Sequence, residues 1–432
     1  MTTQDFRKIH PQSKAIETMS LVEPEKYILD NGVPVYLINA GTQEIVKIDL
    51  IFDAGTLLQD QSLQAQFTSK CLIEGTESFD SKTIAEIVDF YGAYLKPSVT
   101  RDDAEISLYS LNKHLEKLMP VFAEVALQPT FPEHEVQTMV QKLRQEYLVN
   151  MEKVSFIGQQ HFSPLIHGEQ HPYGKTMVIG DYENINSQVL HQFFTGFYKT
   201  TGFKIIVAGK VNNGLIKLLN RYFGQHKVTF EEHVIENLTN TPSGIPKHFI
   251  EKGDALQSAL RIGKATINKH HPDFLPFMVV NTILGGYFGS RLMTNIREDK
   301  GYTYGIGSGL GSFKHAGMFF IGSEVGNDVT EKAIEQIFIE IEKLKSEPVK
   351  AEELSLVKNY LLGTFLRSAD GPFALADLFK ATLDYGMDMR YYDTFLHTVK
   401  NITIKDIQEI AVKYLQTDQM ITLVVGNPVN KE

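Results

Sequence analysis

The chain is poor in cysteine: Cys71 is the only one in 432 residues. A single thiol excludes an intrachain disulfide and a cysteine-based zinc site. On an apolar helix face Cys71 reads as core. Long hydrophobic runs are lacking too, and none is long enough to span a bilayer. Basic residues are in deficit, 42 against 52 acidic, for a formal charge of −10. That balance favours solubility and argues against nucleic acid or an anionic membrane as a partner. Met1 to Ser20 has neither the apolar core of a secretory signal nor the arginine-rich, acid-poor character of a mitochondrial presequence. The expected location is cytoplasmic, or periplasmic if a leader has been removed. No serine or cysteine triad is visible. The glycine-rich turn at Gly285-Gly286 lacks Gly-Lys-Ser/Thr, so it is not a phosphate loop.

What is present describes an ordinary globular protein, 43% hydrophobic and 22% charged, too long for one core. Tyr27 to Ile38 reads as a hairpin around Asn31-Gly32, and Val46 to Ala54 as the next strand. Gln61 to Glu74 reads as a helix, with Leu63, Phe67 and Cys71 at four-residue steps and Gly75 closing it. Thr83 and Glu86 form a possible capping box for a helix ending near Gly92. Strands follow over Ala93 to Leu111. Two amphipathic helices, His114 to Leu127 and Glu133 to Met151, flank Gln128-Pro129-Thr130-Phe131-Pro132. Val189 to Tyr198 reads as helix and Phe203 to Gly209 as strand.

The pattern then repeats. Lys332 to Leu344 parallels the helix from His114, Glu353 to Phe365 the helix from Glu133, and Ile421 to Gly426 the strand ending at Gly209. The offset is 217 for the glycines (426 minus 209) and 218 for Glu135 and Glu353 (353 minus 135). A near-constant offset over this length means two copies of one unit. The polar, turn-rich stretch 231–247 reads as the join, between a first unit 1–230 and a second 248–432. Each copy reads as strands, a helix, more strands, paired helices, and a last helix and strand. That is an α+β architecture, an antiparallel-dominated sheet with helices on one face.

The most informative stretch is Gly285 to Tyr304. Gly285, Gly286 and Gly289 make a flexible turn, Arg291 to Lys300 reads as a short helix, and Gly301 suits its C-terminus. Tyr302, Tyr304, Ile306 and Ser308 then alternate as a strand, with both tyrosines on one face. Arg297 and Tyr304 flank one tight turn, where a guanidinium and a phenol could both donate to one substrate carbonyl. A surface arginine and a packed tyrosine are the alternative reading.

This stretch resembles the second-domain signature of the pitrilysin/insulinase-type metallopeptidases, where an Arg is followed seven residues later by a Tyr. His171-Pro172-Tyr173-Gly174 and Phe197-Tyr198 extend the resemblance over nearly the whole chain. It implies two homologous α/β-roll domains, in subunits that pair into a clamshell around a closed chamber. It also implies that Arg297 and Tyr304 bind the substrate backbone, and that Tyr304 rather than Tyr302 takes that role.

Catalytic members of the family carry His-x-x-Glu-His on one helix of the first copy, between an Ala-Gly and a Gly-Thr. Ala54-Gly55 and Gly75-Thr76 mark the same frame here. Inside it Gln66 stands for the first histidine, Ser69 for the glutamate and Lys70 for the second histidine. Glu146 lies near the separation of the third ligand. A charged lysine has no lone pair, glutamine is a poor zinc ligand, and serine cannot accept a proton from metal-bound water as a carboxylate does. A Glu146–Lys70 ion pair filling the position is one reading; a solvated Glu146 is the other. His161, His167 and His171 do not share a helix face around a general base, and Gly168 and Pro172 suggest a loop. His270-His271 reads as a helix entry, with Asp273 near its positive end.

The expectation is a non-catalytic subunit of a two-chain zinc endopeptidase, holding no metal itself. Zinc is expected in a homologous catalytic partner, and peptides or unfolded segments are the expected substrates. Alternatives are a structural or peptide-binding homodimer, and an active zinc peptidase with unusual ligands.

Overall fold

The computed structural model describes residues 21–199, 201–211, 214–230, 235 and 238–427. Met1 to Ser20 and part of the expected join, 231–234 and 236–237, lie outside the described residues.

Asn31 and Gly32 turn the chain between β1 (Glu25–Ile28) and β2 (Pro34–Asn39). The Asn31 side chain fixes this turn by donating to the carbonyls of Phe223 and His226 at 2.9 and 2.8 Å. Strand β3 (Ile45–Phe52) is buried from Val46 onward, as befits an inner strand. Helix α1 (Gln64–Cys71) is entered through Leu63, whose φ of 72° is left-handed. A leucine there stores about 1–3 kcal/mol of strain. Helix α2 (Ser81–Phe90) is capped by Asp80, whose side chain accepts from the Thr83 N–H at 2.8 Å. The expected Thr83/Glu86 box is therefore not the cap: a carboxylate one turn earlier serves the helix end better. Strands β4 (Tyr94–Val99) and β5 (Ala104–Leu111) lead into α3 (Leu115–Leu127), α4 (Glu133–Asn150) and α5 (Val154–His167). Helix α6 (Ser187–Phe194) stops earlier than expected, its last turn widening into a π-type segment over Thr195–Lys199. Strand β6 (Phe203–Gly209) and α7 (Leu215–Phe223) close the first half.

The second half opens with β7 (Lys247–Glu251), β8 (Gln257–Thr266) and α8 (Phe274–Asn281). The hairpin β9 (Thr303–Ser312) and β10 (Gly317–Gly326) precedes α9 (Thr330–Ser346) and α10 (Ala351–Ser368). Helices α11 (Pro372–Leu383), α12 (Arg390–Asn401) and α13 (Ile404–Tyr414) lead to β11 (Ile421–Gly426).

The sheets run β1-β2-β6-β3-β5-β4 and β7-β11-β8-β10-β9. Each has one parallel pair, β2 with β6 and β7 with β11, and is otherwise antiparallel. The second order repeats the first without β1, so the internal repeat holds in three dimensions. Each sheet packs its own helices on one face, making the two main cores.

The other faces carry an exchange. From the first half, α5 lays Ile157, Phe162 and Ile166 on Ala259, Ile421, Leu423 and Val425 of the second sheet. From the second half, α11 lays Leu375, Ala376 and Phe379 against Ile38, Ile206 and Ala208 of the first. Each buried Ile, Leu or Phe contributes roughly 1.5–3 kcal/mol, so this exchange welds the halves. Neither helix shows in the sequence pattern, because each is apolar toward more than one neighbour.

Candidate functional site

The segment after α8 carries Arg297 and Tyr304. Helix α8 runs into a π-type turn, Thr282–Gly286, and a second such segment follows over Met293–Asp299. The expected helix Arg291 to Lys300 is thus a widened one. The Lys300 N–H reaches Asn295 O at 3.1 Å, and the Tyr302 N–H reaches Ile296 O at 2.9 Å. Met293 and Ile296 anchor the segment in the core, and Gly301 reverses the chain at φ +66°, which a Cβ resists. Two arginines six residues apart then behave differently. Arg291 forms a fork to Glu353, with bonds of 2.8 and 2.9 Å. Arg297 has no ion-pair partner among the described residues, and its guanidinium lies 4.5 Å above the Phe288 ring.

Tyr302 and Tyr304 do not share a face. Opposite β10, Val325 pairs with Thr303 but Ser323 pairs with Ile306, so Tyr304 and Gly305 together face Glu324 in a bulge. Two hydroxyls pin it. Thr303 Oγ1 donates to Glu324 O at 2.7 Å and accepts from the Gly305 N–H at 3.1 Å, while Ser323 Oγ donates to Gly305 O at 3.0 Å. Tyr302 turns against the second core, and Tyr304 is left 92% exposed. The packed-tyrosine alternative therefore does not describe Tyr304. Thr303 and Ser323 were not singled out in the sequence, although Gly305 inside a strand is the usual sign of a bulge.

Tyr304 lines a cavity of about 650 Å³ between the second sheet and α5. Its floor includes Arg261, Phe320 and Glu324, and its wall includes Phe162 of α5 and Arg101 from the β4–β5 turn. Arg297 is not among its lining residues. The two hairpin turns meet beside it. The Asp102 carboxylate accepts from the Tyr173 hydroxyl and, at 3.0 Å, from the Lys314 N–H. Gly55 is required where this turn crosses: a Cβ there would sit 2.4 Å from Arg101 O.

Helix α1 holds Gln66, Ser69 and Lys70, the positions that the resemblance sets against the zinc motif. Gln66 and Lys70 are half-buried, Ser69 is buried, and Glu146 is exposed on α4. The Ser69 and Tyr198 hydroxyls are both buried and lie near each other, with no other polar partner among the described residues. Burial drives the Tyr198 phenol far above its ordinary pKa, with the nearby Ser69 hydroxyl drawing it down. Lys70 and Glu146 form no ion pair with each other, so the solvated reading of Glu146 describes its surroundings. A ligand set of one amide, one ammonium, one core hydroxyl and one solvent-facing carboxylate does not fit a zinc ion. Among the described residues no cluster of three or more His, Cys, Asp or Glu is placed to hold a metal.

The histidines of 161–171 have other work. His161 and His167 lie on α5 rather than in a loop, which starts at Gly168. His167 is fully buried, its Nδ1 2.7 Å from Asn240 Oδ1, and burial pulls it down to about 4. His171 Nδ1 accepts from the Tyr173 N–H at 3.0 Å. Asp273 precedes α8 but does not cap it, and accepts from Lys413 and Tyr414 at 2.6 and 2.7 Å instead.

The paired α/β halves place the chain among known proteins. The family description "Insulinase (Peptidase family M16)" matches residues 34–167, and "Peptidase M16 inactive domain" matches 184–361. The chain belongs to the insulinase family of metallopeptidases. It is 23% identical over 351 residues to the uncharacterized zinc protease YmxG of Bacillus subtilis, covering 80% of this chain and 84% of that protein. It is 22% identical over 393 residues to the probable inactive metalloprotease YmfF of the same organism, covering 85% and 90%. The peptidase M16 inactive domain of Pseudomonas fluorescens shares the fold, with a TM-score of 0.86 at 22% identity over 95% of this chain and 99% of that one. A Helicobacter pylori protease does so at 0.83 and 19%, over 94% and 100%. No helix among the described residues is long and apolar enough to cross a membrane.

Proposed function

We propose that this chain is the non-catalytic subunit of a two-chain zinc endopeptidase. A homologous partner with an intact His-x-x-Glu-His helix would supply the metal and the water it activates. This chain supplies Arg297 and Tyr304. They donate to the peptide carbonyl, orient it, and stabilise the negative charge as water adds. The observation that carries the reading is Tyr304, held 92% exposed beside the cavity by a hydroxyl-pinned bulge. A phenol held exposed beside a cavity can donate to a ligand there. The naming of a relative as a probable inactive metalloprotease supports the same conclusion.

The purified chain is expected to hydrolyse no peptide alone, and the mixed complex to do so. Arg297→Ala in this chain lowers kcat of the complex by about ten- to a thousandfold, the range for loss of an oxyanion donor. An unchanged kcat removes the assigned role. A second reading, a peptide-holding homodimer without turnover, is supported by the cavity beside Tyr304. Peptide binding without hydrolysis beside the zinc-bearing homologue would favour it.

A further inference from the structure

We infer that the cavity beside Tyr304 takes an acidic peptide segment, binding carboxylates at two points, Arg101 and Arg261. The inference deepens the peptide-holding reading above and rests on it for the ligand being a peptide.

Arg261 on β8 stands opposite Gly322 on β10, and the missing side chain leaves room for its guanidinium across that strand. Nη1 donates to Leu260 O at 2.8 Å and Ser323 O at 3.5 Å, and Nη2 to Ser155 O at 3.2 Å. All three are neutral carbonyls, and Nε with one Nη2 hydrogen is left over. Arg101 Nη2 donates to Ser163 Oγ at 3.1 Å, and Nη1 is buried with no acceptor. Its plane lies 4.6 Å from the Phe313 ring centre, a packing that fixes the guanidinium. Among the described residues the arginines with carboxylate partners are Arg291 and Arg390, so neither cavity arginine has one.

That is costly for a partly buried charge. Burial depresses the pKa of both guanidinium groups, Arg101 and Arg261 alike. The lysines between the halves are treated otherwise: Lys47, Lys314 and Lys380 each hold a carboxylate at 2.7 to 3.1 Å. Glu324 is the carboxylate in the cavity lining, and it acts on Arg261 only through its field. Guanidinium is matched to carboxylate by its planar fork, which favours an acidic ligand over a neutral one.

The spacing adds a register. The α5 anchors, Ser155 and Ser163, are eight residues apart, or about 12 Å along a helix. An extended peptide covers that in about four residues, and side chains at even spacing share a face. Two acidic residues about four apart, or one such residue and the C-terminal carboxylate, reach both arginines.

The test is fluorescence anisotropy of the full chain with labelled extended peptides carrying two glutamates at that spacing, two glutamines instead, and each with a free or amidated C-terminus. The diglutamate form is expected to bind about a hundredfold tighter than the diglutamine form, roughly tenfold per carboxylate. Arg261→Gln, checked for an unchanged melt, removes about tenfold of that. Loss on amidation together with loss on Glu→Gln assigns one of the two carboxylates to the peptide end. Equal affinity for glutamate and glutamine forms, both amidated or both free, overturns the inference and leaves peptide holding intact. An acidic preference in a chain whose Arg297→Ala form leaves kcat of the complex unchanged overturns the proposed function and leaves this subsite standing. Absence of binding by every peptide overturns both. The peptide series is run on the unaltered chain, so the outcome does not depend on a variant that folds.

Discussion

The two exchanged helices occupy equivalent places, and they treat charge in opposite ways. Where α11 crosses the first sheet, cations are neutralised. Lys47 lies 2.9 Å from Asp49 and 2.7 Å from Asp377, and Lys380 lies 3.1 Å from both Asp103 and Asp384. Burial pushes the Asp49 carboxyl up to about 6 despite its lysine. Where α5 crosses the second sheet, the cations are Arg101 and Arg261, and carbonyls and a hydroxyl are their partners. One face is closed by ion pairs and apolar packing. The other keeps a cavity, two unpaired guanidinium groups and an exposed phenol. A duplicated fold has thus closed one seam with ion pairs and left a cavity at the other.

Breaking the closed seam is expected to have the largest effect. Lys380→Met strands Asp103 and Asp384 in a buried site and lowers stability by about 3–5 kcal/mol in denaturant titration. Arg261→Met on the open side costs under about 1 kcal/mol. Equal losses would erase the contrast. A smaller effect comes from His167 at the end of α5. Its pKa falls from the ordinary 6.5 to about 4 through burial, so the unfolded chain binds a proton that the folded chain refuses. Its contribution is full above pH 6.5 and lost as pH falls toward 4, by about 3 kcal/mol at most. The stability difference between wild type and His167→Gln therefore shrinks over that window in pH-dependent melts, and a constant difference would contradict it. Thr303→Val costs about 1 kcal/mol from the lost bulge bonds. It should nevertheless lower kcat of the mixed complex, because Tyr304 loses its support; an unaltered kcat separates the bulge from function.

Much of this was legible in the residues. The repeat, the sheet strands and the paired helices follow from period, turn chemistry and offset, because each has one buried face. The α5 and α11 helices did not, since a helix wedged between two halves is apolar on several sides and loses its stripe. The Arg297 and Tyr304 positions were found through a turn and a resemblance. Their different settings, a cation over Phe288 and a phenol on a bulge, depend on strand register that local sequence does not encode. Arg101 and Arg261 were invisible for a related reason: their significance is the carboxylate each lacks, which only the assembled fold reveals.

The central claim is that the half which grips a peptide persists while the half which would grip zinc has been rewritten. The most direct measurement is hydrolysis of an internally quenched peptide by the purified chain with added zinc, alone and then mixed with a homologue bearing His-x-x-Glu-His. The account predicts no turnover alone, turnover on mixing, and its loss when Tyr304→Phe replaces the wild-type chain. Robust hydrolysis by this chain alone, with zinc bound stoichiometrically at α1, would contradict it.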